Sequence, residues 1–337
     1  MDITFINVGY GESILITCAD PDQEDGRFVI LIDGGSNMDS EYTGESGRIR
    51  AIDFLRKKNI RHIDLLVFSH IHEDHTSGLV PIINEIPVRK FWTSVMPDPS
   101  LFGRQIDAAS LSETNRKALA SINAYSMLME KLQGKDLTKL QGIHPEYFRH
   151  GDLTIDILGP EERYRNMVES FVNFCFTAQG AEALNEAITE TTESMNQASL
   201  ILRLHYKGRT VLLCGDTPAG GFSHIYDADP QLLKADVYKI GHHGQKDSVT
   251  EALVRAVDPA YIVYCASNDY RSNSSNEKTF ETIRTAMDGK PVTYLFQDGL
   301  YNAHWNPDTA PRNGVTLHIN QEGISWQLEN LNSGSRE

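Results

Sequence analysis

Three imidazoles and an aspartate fall within six residues of the segment Ser69-His70-Ile71-His72-Glu73-Asp74-His75, in the spacing H-x-H-x-D-H. Imidazole and carboxylate are the groups that hold divalent cations in open hydrolytic sites. His70 and His72 are two apart, so an extended segment turns both the same way and lets them grip one ion. Asp74 and His75 then serve a second ion across the turn. A surface loop gains nothing from such a run, because protonated imidazoles packed this closely repel one another. The chemistry on offer is hydrolysis: a cation lowers the pKa of bound water so that a metal-bound hydroxide can act as nucleophile. Two cations about 3.5–4 Å apart also bind the free oxygens of a phosphodiester during in-line attack.

Other candidate ligands share one placement. Leu31-Ile32-Asp33-Gly34-Gly35, Leu212-Leu213-Cys214-Gly215-Asp216 and Tyr238-Lys239-Ile240-Gly241-His242-His243-Gly244 each put Asp or His just after an apolar run. Alone, Asp-Gly-Gly or Gly-Asp-Thr is an ordinary turn. In an α/β sheet, however, the carboxyl ends of the strands form one rim where ligand sites gather, and the four ends could meet there. Asp216 has two carboxylate oxygens to share and is suited to bridging two cations.

The elements needed to position these residues are those of a mixed α/β protein. Ile3 to Ile6, Ser13 to Thr17 and Phe28 to Ile32 read as strands, followed by a helix at about 47–58 with Ile49, Ile52 and Leu55 on one face. Ile63 to Phe68 is an almost continuous apolar run, the signature of a strand buried on both faces, and it ends at Ser69-His70. Ala118, Ile122, Tyr125, Met129 and Leu132 mark an amphipathic helix, a short β pair is expected at Leu153 to Leu158, and 161–195 is helix-prone. The segment of about 97–195 is thus expected as a helical insertion that covers or caps a site, or serves a protein partner. Ser199 to His205 and Thr210 to Cys214 form a hairpin. Strands follow at Asp236 to Ile240, Tyr261 to Cys265 and Val292 to Phe296 with a helix between each, then a closing hairpin of Val315 to Ile319 and Ile324 to Leu328. Without a Gly-, Ser- or Pro-rich linker, residues 1–330 read as one elaborated domain and 331–337 as a polar tail.

Composition sets bounds on this. The 337 residues are 40% hydrophobic and 23% charged, which excludes a disordered, collagen-like or disulfide-dense chain. Cys18, Cys175, Cys214 and Cys265 lie far apart with no C-x-x-C pair, as expected of reduced core thiols. No run approaches the roughly 20 apolar residues of a membrane helix. The N-terminus enters strand-like alternation with no basic run, so a cleaved secretory signal is not expected and the cytoplasm is the expected compartment. A net charge of -15 disfavours a long electrostatic groove for duplex nucleic acid. Any phosphate must therefore meet positive charge locally, from the cations and from Lys246 and Arg271.

The segments Asn7-Val8-Gly9-Tyr10-Gly11-Glu12-Ser13, Leu31 to Gly35, Asp64 to Gly78, Ala198 to Asp216 and Asp236 to Gly244 together resemble the metallo-β-lactamase fold hydrolases, most closely the ComEC-type subgroup of DNA-uptake hydrolase domains and related phosphodiesterases. The resemblance implies an αβ/βα four-layer sandwich with a metal site on one edge. It implies two divalent ions, zinc first and manganese second, with His70 and His72 on one and Asp74 and His75 on the other. Asp216 would bridge them, and one of His242 and His243 would complete the second site. The alignment favours His243 as ligand, with His242 facing the substrate, though the two could be exchanged. Asp33 resembles the family's carboxylate that braces the histidine loop, and Asp74 could also align the attacking water.

Two departures from the family pattern stand out. Where many members supply a third histidine to the first ion, this chain has Asn196-Gln197-Ala198-Ser199, so that ion is expected to be weaker, with Asn196 and Ser199 on the substrate side. Where the subgroup carries a His-Pro pair, this chain has Asn273. The expected activity is a metal-dependent phosphodiesterase or nuclease acting on a nucleotide, a cyclic dinucleotide or a nucleic acid. The alternatives are an ester, lactone or amide hydrolase on the same scaffold, or a metal-poor regulatory subunit of a bacterial defence or signalling system.

Overall fold

The computed structural model describes residues 1–43, 46–107, 111–269, 271–299 and 310–331. The expected polar tail, apart from Leu331, lies outside the described residues. The first half runs Asp2–Ile6 (β1), Ile14–Ala19 (β2), Arg27–Ile32 (β3), Ala51–Lys57 (α1), Ile63–Phe68 (β4), Glu73–Thr76 (α2), Leu79–Glu85 (α3), Val88–Thr93 (β5), Glu113–Leu132 (α4) and Asp136–Lys139 (β6). Next come His144–His150 (β7), Leu153–Gly159 (β8), Glu162–Thr177 (α5), Ala181–Gln197 (α6), Ile201–Tyr206 (β9) and Arg209–Leu213 (β10). The remainder is Ser223–Ala228 (α7), Val237–Lys239 (β11), Glu251–Val257 (α8), Tyr261–Tyr264 (β12), Glu277–Met287 (α9), Thr293–Phe296 (β13), Gly314–Ile319 (β14) and Ile324–Glu329 (β15).

Two mixed sheets result, with strand orders β15-β14-β1-β2-β3-β4-β5-β6 and β13-β12-β11-β10-β9-β8-β7. The alternation of side chains along a strand then builds the layers. In β4, Leu65 and Val67 face the second sheet and join Leu204, Val211 and Val263 in a shared core, while Leu66 and Phe68 pack outward against Phe54, Ile82 and Tyr125 of α1, α3 and α4. In β12, Val263 points inward, while Ile262 and Tyr264 meet Leu253, Val254 and Ile283 of α8 and α9. Helices, sheet, sheet and helices make the expected αβ/βα sandwich. Among the described residues no helix is long and apolar enough to cross a membrane, and all four cysteines are buried and free.

The segment 97–195 supplies the expected helices α4, α5 and α6, but it also contributes strands to both sheets. β6 is the last strand of the first sheet and β7 the last of the second. Neither shows in the sequence pattern, because edge strands need no apolar face: β6 reads Asp-Leu-Thr-Lys, and β7 is exposed over its first four residues, with Pro145 among them. α4 packs against α2, α3 and α6, so the helices of this segment back the histidine loop. The helix expected from about 47 begins only at Ala51.

Topology gathers the strand ends that carry the candidate residues along one edge of the sandwich. β3, β4, β5 and β6 are mutually parallel, and so are β10, β11, β12 and β13. Asp33, Ser69, Ser94, Asp216 and Ile240 therefore leave their strands along one rim. On the second sheet, Asp156 of β8 holds its neighbour β9: its carboxylate accepts from Arg203 Nε and His205 Nε2, both at 2.8 Å, and from the Glu146 amide at 2.7 Å. Burial alone would raise this carboxyl, but the bonds from His205, Glu146 and Arg203 outweigh it and bring the pKa down to about 2. A depressed carboxylate adds stability that is complete above its unfolded value of about 3.9 and lost as pH falls toward the folded value. Urea midpoints measured from pH 6 down to 2 are expected to show this loss, and Asp156→Asn to lower stability by about 1–3 kcal/mol at pH 6 with a shallower acid dependence.

Candidate metal centre

The histidine loop is set by what surrounds β3 and β4. Asp33, held at φ 57 just beyond β3, accepts the Ser69 amide at 2.8 Å and the Ser69 hydroxyl at 2.5 Å. The same carboxylate takes His75 Nδ1 at 2.7 Å. With Nδ1 donating outward, the lone pair of His75 Nε2 is turned into the pocket. Backbone packing here leaves no room for side chains: a Cβ on Gly78 would lie 2.0 Å from the Gly34 carbonyl, and one on Gly11, at φ +135, 2.3 Å from the Asp74 carbonyl.

The seven residues expected to form the centre are brought together. His70 Nε2 and His72 Nδ1 lie 2.9 Å apart. His243 Nε2 is 2.9 Å from Asp216 Oδ2 and 3.1 Å from Asp74 Oδ2. His75 Nε2 is 3.4 Å from Asp216 Oδ2 and 3.7 Å from Asp74 Oδ2. Two ligand groups follow, Asp74-His75-Asp216-His243 and His70-His72-Asp216, the candidate atoms of each within 4.8 Å of one another. Asp216 belongs to both. Of the double histidine it is His243 that turns inward, donating Nδ1 to the Cys265 carbonyl at 2.6 Å. Both histidines have positive φ, 44° and 51°, a conformation uncommon for residues with a side chain and maintained only where the surroundings enforce it.

This donor set fits divalent cations. His75 Nε2, His243 Nε2 and Asp216 Oδ1 are buried with no hydrogen-bond partner, although such groups are normally satisfied. Their electrostatics agree. Burial, reinforced by His75 and His72, holds His70 well below its usual pKa, and burial likewise lowers His72. Burial would raise Asp216, but His243 and His75 outweigh it and hold the carboxyl well below its usual range. His75 and His243 go the other way: burial disfavours their charge, yet Asp216 overrides it and both sit well above the usual imidazole value. The carboxylates thus favour positive charge at these positions, which a cation would also supply.

The remaining sequence candidates are distributed around this core. His242 is half-buried; Asn196 Nδ2 donates to its Nε2 at 3.0 Å, and its Nδ1 meets Asp247 Oδ1 at 2.9 Å. Asn196 Oδ1 is left buried without a partner. Ser199 Oγ accepts the Asp216 amide at 3.2 Å, so its hydroxyl supports the Asp216 backbone. Lys246 is exposed on the turn after His243. Arg271 begins the turn Arg271–Asn273, and its side chain lies outside the described residues.

Several neighbours escaped the sequence reading. Lys239 and Glu12 are fully buried and ion-paired. Lys239 Nζ also donates to the Gly215 carbonyl at 2.8 Å and lies 3.7 Å from Asp216 Oδ1. Burial works against the ammonium, but Glu12 and Asp216 hold it charged, above its usual value. The Glu12 amide donates to the Asp74 carbonyl at 3.1 Å. The pair therefore ties the Asp74 loop to the Asp216 loop. Tyr10 lies over His243 with ring centroids 4.5 Å apart, and Gln297 Nε2 pins the Gly9 carbonyl at 2.8 Å. The one available signal was a lysine inside the apolar strand Val-Tyr-Lys.

A model of the metallo-beta-lactamase superfamily matches residues 8–266, and the chain belongs to that superfamily. The class so defined is a metal-dependent hydrolase. Among curated proteins the chain is similar to ComE operon protein 3 of Bacillus subtilis (strain 168), at 22% identity over 294 residues, which are 84% of this chain and 30% of that protein. It thus spans less than a third of that relative's length. Among solved structures it is similar to CmlA, a diiron beta-hydroxylase from Streptomyces venezuelae, with TM-score 0.48, 11% identity and coverage of 87% of this chain and 52% of that one. It is also similar to Igni18, a metallo hydrolase from Ignicoccus hospitalis KIN4/I, with TM-score 0.47, 14% identity and coverage of 95% and 100%.

Two outcomes are expected from the centre's electrostatics. Uptake of zinc or manganese should release protons from His75 and His243, and so tighten as pH rises; calorimetry in buffers of different ionisation enthalpy reads the proton count, and a buffer-independent heat would contradict it. Lys239→Met, which strands Glu12, should destabilise the fold by about 3–5 kcal/mol, whereas Glu12→Leu with Lys239→Met should recover much of that loss in a denaturant titration.

Proposed function

We propose that this chain is a phosphodiesterase or nuclease that uses two divalent cations on a nucleotide, cyclic dinucleotide or nucleic-acid substrate. The observation that carries the reading is the sharing of Asp216 between two adjacent ligand groups. His70 and His72 would hold one ion and Asp74, His75 and His243 the other, with Asp216 common to both. The buried, unpartnered Asn196 Oδ1 supports this residue as an added oxygen donor for the first site in place of a third imidazole. When bound, the cations supply Lewis acidity at the phosphoryl oxygens and make hydroxide accessible near neutral pH.

The chain's own groups do the rest. Asp33 fixes the orientation of His75, and Lys239 with Glu12 fixes the carboxylate of Asp216. Asp74 is partly open to solvent, unlike Asp216, which supports it as the carboxylate that would align an attacking water. His242 is oriented by Asp247 from behind and turns Nε2 toward Asn196, on the substrate side of the centre. Lys246 and Arg271 are the cations proposed for the outer phosphate oxygens. A phosphodiester has two non-bridging oxygens that could use both positions, which is what a paired site offers it.

Turnover of bis-p-nitrophenyl phosphate by zinc- or manganese-loaded protein is expected, with at least a hundredfold loss of kcat/KM in His72→Ala and in Asp216→Ala. Hydrolysis of p-nitrophenyl acetate alone would point to an ester hydrolase. Less than one equivalent of metal after reconstitution would point to a regulatory subunit.

A further inference from the structure

A second cavity opens on the same rim as the metal centre. It lies between the end of β6, the start of β7 and α5, with a volume of about 330 Å³, and is lined by Lys139, Leu140, Gln141, His144, Tyr147 and Arg165. Its place follows from topology. β6 runs parallel to β4 with β5 between them, so Lys139 leaves the sheet on the same edge as His70. β7 is antiparallel to β8, whose neighbour β9 is antiparallel to β10, so His144 starts at the edge where β10 delivers Asp216. Two or three strand spacings of about 4.8 Å set the cavity roughly 10–15 Å from the metal centre along the rim.

The lining suits a nucleotide. Tyr147 is 42% exposed, with its ring held by the edge of Trp92 at 5.5 Å between centroids, which leaves a supported aromatic surface for a base. Lys139 and Arg165 share the carboxylate of Glu169, each at 3.1 Å. Glu162 approaches Arg165 only at 3.7 Å from an exposed position. Within the cavity, two cations therefore face one closely paired carboxylate. Arg165 Nε and Gln141 Oε1 are buried with no hydrogen-bond partner, and the Arg165 side chain is 8% exposed. An unpaired donor and acceptor beside an aromatic ring and surplus positive charge match the edge, face and phosphate of a nucleotide.

We infer that this cavity is a subsite for a single-stranded nucleic acid, binding a nucleotide some positions along the strand from the one at the metal centre. The base stacks on Tyr147, and its phosphate lies against Lys139 and Arg165. At about 3.4 Å per nucleotide of a stacked strand, the separation corresponds to roughly three to four nucleotides. The inference rests on the phosphodiesterase reading and narrows it to substrates with a chain long enough to reach both places.

The test is the dissociation constant of a fluorescein-labelled dodecathymidylate, followed by anisotropy with the full chain in chelator so that no turnover occurs. Wild type should bind, and Tyr147→Ala and Lys139→Glu should each weaken binding about tenfold or more. Tyr147→Phe should retain affinity. Lys207→Glu, on the β9–β10 turn at the opposite edge, should leave it unchanged. No binding by wild type, or equal constants for wild type, Tyr147→Ala and Lys139→Glu, would overturn the subsite. The small diester separates the two readings. If wild type hydrolyses bis-p-nitrophenyl phosphate while those constants remain equal, only the subsite falls. If oligonucleotide binding depends on Tyr147 but no diester is hydrolysed, only the catalytic reading falls.

Discussion

Asp33, Asp216, Glu12, His70, His75 and His243 are withdrawn together from water at one edge of the sandwich, with Asp74 and His72 partly so, and the surrounding structure is organised by the cost of doing so. An unpaired charge moved into a protein interior is penalised by several kcal/mol even after relaxation. Beside the mutual pairing of Asp216 with His75 and His243, compensating contacts come from outside the pocket. Asp33 uses its oxygens on Ser69 and His75, the Cys265 carbonyl takes His243 Nδ1, and Lys239 neutralises Glu12 from behind Asp216. Facing inward, His75 Nε2, His243 Nε2 and Asp216 Oδ1 are left without hydrogen-bond partners. A pocket satisfied on its outer side and unsatisfied on its inner side is preorganised for a cation, because the orientation cost is met by the fold before any ion arrives.

This arrangement needs strand ends rather than loops of free length. β3 and β4 pair in parallel, so Asp33 and Ser69 leave neighbouring strands side by side, and a carboxylate on one reaches the amide of the other without a bend. β10 and β11 do the same on the opposite sheet for Asp216 and the turn that carries His243. The two sheets meet across a dry core of Leu65, Val67, Val211 and Val263, which fixes their separation and hence the gap between His75 and Asp216. Helical packing enters through α2, which carries Asp74 and His75 and rests on α4. The segment that contributes α4 also ends, through α6, at Asn196 beside His242.

The clustered candidate residues were legible in the sequence because their signals are local. His70, His72, Asp74 and His75 share one short segment, and Asp33, Asp216 and His243 each follow an apolar run. The choice between His242 and His243 was harder, since it depends on which ring finds a backbone carbonyl behind it, and that carbonyl, of Cys265, lies just past the end of β12, beyond the whole of α8. Lys239 and Glu12 were illegible for the same reason: a lysine reads as a surface residue until the glutamate over two hundred positions away closes on it. β6 and β7 carry no apolar periodicity because edge strands have little to bury. The cavity beside them draws on Lys139, Tyr147 and Arg165 from three elements with no shared spacing, so only the folded chain juxtaposes them.

The net charge of -15 acts on a different length scale from the centre. Exposed carboxylates are screened beyond roughly 8 Å at physiological ionic strength, so they set a diffuse repulsion toward any phosphate and little more. Buried groups are screened far less, and the field at the rim is governed by what lies within the pocket. Two cations held by His70, His72, His75, His243, Asp74 and Asp216 would place positive charge where the anion docks, and Lys139 and Arg165 add a second, weaker source of the same sign farther along the edge. A phosphate-bearing strand would then meet diffuse repulsion from the net charge and local attraction at these two places. Specificity for position then comes mainly from the local attraction, to which the general acidity of the protein adds by disfavouring binding elsewhere.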